Sequence, residues 1–119
     1  MTPKLRSSSF LIALSLGAAC TSSSRFGIVL QPDTTAQLQV LGDNPFVQID
    51  NDGPGSIDVS FAPGVGSPEQ VRVLRGSAAR NLRGGGELRF VLVEGDQANV
   101  HVHVQGSTGT DLRTAGKAP

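Results

Sequence analysis

His101 and His103 are the only histidines of the chain, and a single residue separates them. In an extended strand, positions i and i+2 share a face, so both imidazoles leave the backbone together, opposite Val100, Val102 and Val104. Two imidazoles on one face are the beginning of a metal site, because neutral ring nitrogens ligate zinc and related ions. Zinc takes three or four such ligands. The sequence offers no third histidine, and its one cysteine, Cys20, lies far upstream. A metal would therefore need Asp or Glu from another strand or another chain. The plainer expectation is two solvated rings on an exposed face, dispensable for folding and binding no metal tightly.

Other groups invite similar tests. Asp50-Asn51-Asp52-Gly53-Pro54-Gly55, with Asp58 beyond, gathers oxygen donors of the kind calcium prefers. An EF-hand loop would need a ligand where Pro54 stands and its closing Glu where Phe61 stands, so the residues read better as a tight turn. Asp33, Asp43, Asp50, Asp52 and Asp58 fall in a stretch without a basic residue; Arg72, Arg75, Arg80, Arg83 and Arg89 then answer only Glu69 and Glu87. The guanidinium forks of Arg72, Arg75, Arg80 and Arg83 suit phosphate or carboxylate on a polymer, and equally suit pairing with the acidic half of the same domain. No G-x-S-x-G elbow occurs, and Gly84-Gly85-Gly86 lacks the Lys and Ser/Thr of a phosphate loop. An enzyme is not expected.

The elements that must hold these residues are strands. From Phe26 onward the apolar period is two: GIVL, AQLQVL, FVQID, SIDVSF, QVRVL, ELRFVLV and ANVHVHVQ, separated by Gly, Pro, Asp and Asn clusters. This predicts an all-β fold over residues 26–105, a small antiparallel β-sandwich with the strand count of an immunoglobulin domain but neither its disulfide nor its core Trp. The expected core face is Leu38, Val40, Val47, Ile49, Ile57, Val59, Phe61, Val71, Val73, Val100, Val102 and Val104, with Phe90-Val91-Leu92-Val93 covered on both sides. Residues 46–61 and 90–104 echo one another and read as two similar hairpins, each with an acidic, Gly-containing turn. Residues 106–119 lack apolar periodicity and are expected to be a disordered tail.

The N-terminal residues set an address. Lys4 and Arg6 precede an apolar run, FLIALSLGAAC over residues 10–20, too short to cross a bilayer as a helix. The segment resembles a bacterial lipoprotein signal, with Gly17-Ala18-Ala19-Cys20 in the place of the lipobox, although Gly17 stands where a larger apolar residue is usual. The resemblance implies cleavage after residue 19, a lipid on Cys20, a polar tether over residues 20–25, and Thr21 in the position that favours the outer membrane of a Gram-negative cell. An ordinary secretory signal would cut at the same bond and give a secreted protein. A second, partial resemblance lies at the histidines: Gly95, five residues, then His-Val-His is similar to the opening of the cupin motif, without the Glu that should follow.

Removing residues 1–19 leaves eight basic against ten acidic residues, a net charge of −2. That argues against general affinity for nucleic acid, and the lack of Trp and Tyr argues against a stacking surface. The expected protein is a lipid-anchored, non-catalytic module of the cell envelope without a cofactor. It would meet the membrane through Cys20 and an envelope protein or polymer through its surface. The competing reading is a metal-binding protein built on His101 and His103.

Overall fold

Alternation becomes strand along nearly the whole of the chain. A computed structural model describes residues 22–116, which form seven antiparallel strands and, among the described residues, no helix. They are β1 (Ser22–Leu30), β2 (Thr34–Leu41), β3 (Phe46–Pro63), β4 (Glu69–Val73), β5 (Gly76–Asn81), β6 (Gly86–Ser107) and β7 (Gly109–Gly116). The signal segment, Cys20 and Thr21 lie outside the described residues.

Two long strands, β3 and β6, pair with each other from Phe46 opposite Gln105 to Pro63 opposite Gly86. The register shifts repeatedly between Asn51 and Ile57, where the ribbon turns a corner. On one side of the corner, β5 and β1 flank the ribbon; on the other, β4 flanks it at one edge and β2 then β7 at the other. One continuous sheet thus supplies two layers, β5–β3–β6–β1 and β4–β3–β6–β2–β7, as a small β-sandwich. Their inward positions form one core: Ile28 and Leu30 of β1, Leu38 and Val40 of β2, and Val47, Ile49, Ile57 and Val59 of β3 meet Leu88, Phe90, Val100, Val102 and Val104 of β6. Burying each such side chain is worth about 1.5–3 kcal/mol.

The corner is built from small and polar residues. Asn51, only 2 % exposed, donates from Nδ2 to the carbonyls of Gly55 (2.9 Å), Val73 (3.1 Å) and Leu74 (2.9 Å), and its Oδ1 accepts from the Gly53 N–H (2.9 Å). Backbone groups that the register shifts remove from the ladder are paired there instead. Gly55 is required by packing, since a Cβ would sit 2.5 Å from the Glu94 carbonyl oxygen and 2.7 Å from that of Gln97.

Three expectations are corrected. Residues 46–61 and 90–104 are not hairpins: each belongs to one bent strand, and they echo one another because they pair across the same corner. The tether expected over residues 20–25 runs too far, for Ser22 to Arg25 already pair with the end of β6. The polar tail is strand as far as Gly116, because β7 needs only the β2 edge and one inward residue, Leu112, packed against the core. Of the expected core, Val71 is half-buried, and Val91, Leu92 and Val93 are only half covered.

The strands run between two ends. The Ser22 end carries the connections at residues 42–45, 64–68, 82–85 and 108, with the start of β1. The opposite end carries the turn at residues 31–33, the connection at 74–75, the corner at 52–56 and 94–98, and Gly116.

Candidate functional site

His101 and His103 project from the outer face of the β5–β3–β6–β1 layer, as alternation requires, while Val100, Val102 and Val104 are buried behind them. The register sets their neighbours. His101 stands between Gly27 of β1 and Asp50 of β3; His103 stands between Arg25 and Gln48. Gly27 has no side chain and nothing lies within 4 Å of where its Cβ would be, so the face sinks there. A groove of about 470 Å³ results, lined by Arg25, Phe26, Gly27, Gln48, Asp50, His101, Val102 and His103. A second depression of about 480 Å³ adjoins it past His101, along Val29, Asp52 and Asn99. Gly27 and His101 line both.

Three polar side chains in the groove, His101, His103 and Asp50, have local partners. His101 Nε2 lies 3.1 Å from Asp52 Oδ2, with both side chains more than half exposed. His103 Nε2 shares a hydrogen bond of 2.7 Å with Ser23 Oγ. The Ser77 hydroxyl donates to Asp50. The carboxylate that contacts one imidazole does not contact the other, and among the described residues no group of three or more His, Cys, Asp or Glu is placed to hold a metal ion. The Ser23–His103 pair has the first two members of a nucleophilic relay. Among the described residues no carboxylate comes within ion-pairing reach of the His103 ring, so a third member is not assembled.

The calcium-like cluster is dispersed. Asn51 is spent on the corner, Asp50 and Asp52 turn to Ser77 and His101, and Asp58 lies on the other layer. There Asp58 accepts from Arg72 Nε and Gln70 Nε2, both at 2.8 Å. The Arg72 hydrogen bond holds the Asp58 carboxyl below its ordinary range, against a smaller opposing effect of burial.

The four arginines are not brought together. Arg75 is at the corner end beside Gly53, and Arg83 is exposed at the Ser22 end. Arg72 is committed to Asp58, and Arg80 to Glu69 through two hydrogen bonds of 3.1 Å. Arg80 belongs to β5 and Glu69 to β4, so this pair spans the two layers, with the guanidinium 5.9 Å from the centre of the Phe61 ring. It closes one side of the sandwich over an aromatic core residue. Glu69 is correspondingly more acidic than an ordinary glutamate, through its hydrogen bond to Arg80.

Sequence reasoning passed over Gly27 and Ser23. Gly27 had a signal, a glycine inside an otherwise apolar strand, which often marks close approach of a partner. Ser23 had none, since it meets His103 across 80 positions. The chain matches no protein-family model, no curated protein and no solved structure.

Proposed function

We propose that the protein is a non-catalytic binding module of the bacterial cell envelope, anchored by a lipid on Cys20, which receives an envelope protein or polymer in the groove around Gly27. The observation that carries the binding reading is the way the groove is made. Outward positions of β6 and of the two strands that flank it, β1 and β3, surround a residue without a side chain, so donors and acceptors are held by ladder hydrogen bonds rather than by mobile loops. Arg25, Gln48, Asp50 and both imidazoles then present mixed charge and hydrogen bonding over a shallow surface, which suits a polar segment of a macromolecule better than a small apolar ligand. The anchor reading is supported by the signal-like residues and the lone cysteine, which has no intramolecular disulfide partner.

Gly27 makes the test clean. Its strand conformation is open to other residues and its surroundings are empty, so Gly27→Leu fills the groove without a clash in the fold. A photo-crosslinking residue at Gln48 is expected to give a discrete adduct in intact cells, and Gly27→Leu to abolish it at unchanged protein level and melting temperature. Radiolabelled palmitate is expected in the wild type and not in Cys20→Ser, which should leave the membrane fraction. Adducts that survive the filled groove would overturn the binding surface; an unlabelled wild type in membrane-free material would overturn the anchor.

A further inference from the structure

The geometry points to a membrane-apposed end of the sandwich: we propose that the Ser22 end rests on the bilayer, with Leu41 and Val65 entering the headgroup region and the corner end pointing away. The inference rests on the lipid-anchor reading of Cys20 and adds to it an orientation and the residues that touch lipid.

Three observations carry it. Cys20 precedes Ser22 by two residues, and two residues span at most about 7 Å, so a lipid at Cys20 holds the start of β1 at the headgroups. β1 has no slack to give, because Ser22 is already opposite Ser107 and Ser23 opposite Gln105. Leu41 adjoins this point: its carbonyl accepts from the Thr108 N–H at 2.9 Å, one residue beyond Ser107.

The same end is exposed and apolar where a bilayer would meet it. Leu41 is 54 % exposed and Val65 57 %. Between them run Gly84 and Gly85, held by hydrogen bonds from Gly84 N–H to the Asp43 carbonyl and from Gly64 N–H to the Gly85 carbonyl. Backbone without side chains lets both apolar residues stand proud of the surface.

Charge separates the two ends. The connections at the Ser22 end carry Asp43 and Arg83, a net charge of zero, whereas those at the corner end carry Asp33, Asp52, Glu94 and Asp96 against Arg75, a net charge of −3. Anionic lipid surfaces repel the second end and tolerate the first. Leu74, 61 % exposed at the acidic end, is the internal control: equally apolar, wrongly charged surroundings.

The chain has no Trp or Tyr, so a single introduced Trp reports alone. Full chains carrying Leu41→Trp, Val65→Trp or Leu74→Trp are purified after expression in bacteria, checked by intact mass for lipid on Cys20, and placed in phosphatidylcholine–phosphatidylglycerol vesicles with brominated phosphatidylcholine. Expected is a blue-shifted emission that brominated lipid largely quenches at positions 41 and 65, and an unshifted, unquenched emission at 74. Lipidated protein in which 41 and 65 are unquenched, or 74 is quenched equally, overturns the orientation while leaving the anchor standing. Should the mass show no lipid, the anchor reading fails by itself; coupling the Cys20 thiol to a maleimide phospholipid then restores the attachment, and the same quenching pattern decides the orientation.

Discussion

At the scale of single residues, one buried amide and one surface carboxylate account for behaviour that composition would not suggest. Asn51 serves three carbonyls and one N–H inside the corner, so Asn51→Ala leaves several buried backbone groups unpaired and is expected to cost about 2–4 kcal/mol in urea unfolding. A loss near zero would mean that water replaces the amide. Asp58 acts through pH. Its native carboxyl is more acidic than the unfolded one, so the stability it contributes is complete above the ordinary aspartate range near about pH 4. That contribution disappears as pH falls through the lowered native value. Arg72 is 56 % exposed, so solvent screening keeps the contribution of the pair small. Comparing thermal midpoints of wild type and Asp58→Asn is expected to show a gap at neutral pH that closes on acidification; a gap that widens would contradict the sign. Of these residues the sequence showed only the types. Asn51 read as turn chemistry and Asp58 as one member of an acidic run, because their partners at Val73 and Arg72 arrive through the β3–β4 pairing.

Among the elements, the sequence was legible wherever a strand buries one face. Leu38 and Val40, Ile57 and Val59, and Val100 to Val104 announced their strands and their inward sides by alternation alone. What alternation does not encode is whether a polar interruption ends a strand or bends it. Asn51 to Gly55 and Glu94 to Gln97 contain every residue type of a hairpin turn, yet each is opposed by the other and the ribbon continues through both. Edge strands hide for a different reason: β7 needs backbone pairing more than burial, so TDLRTA carries a single large apolar residue, Leu112. This makes its contribution measurable. Deleting residues 109–119 strips β2 of its outer partner along Thr34 to Leu41 and uncovers a run of unpaired backbone groups beside Leu38 and Val40. The truncated chain is expected to melt lower and to associate with concentration in sedimentation, whereas a true disordered tail would be removed without either effect. An unchanged melting temperature and a monomer would return residues 109–116 to the status of a tail.

For the molecule as a whole, the shared ribbon means that neither layer has a core of its own. Phe90 shows the consequence. It lies in β6 between Ala36 on β2 and Val59 on β3, is fully buried, and is the largest of the wholly enclosed side chains. Its neighbours are held at ladder spacing on both sides, so they have little freedom to close over a missing ring. Phe90→Ala should therefore leave most of the cavity open and cost about 3–5 kcal/mol. Domains of ordinary size hold only about 5–15 kcal/mol in total, and small ones sit at the lower end because less of their surface is buried. The expected result is a large fall in the urea midpoint with an unchanged slope, since the surface exposed on unfolding barely differs. Both layers should report the same midpoint, read by a Trp in place of Leu41 on β2 and, in a second protein, by one in place of Val29 on β1. Two separated transitions would show that the layers unfold independently, and the view of β3 and β6 as one cooperative ribbon would have to be abandoned.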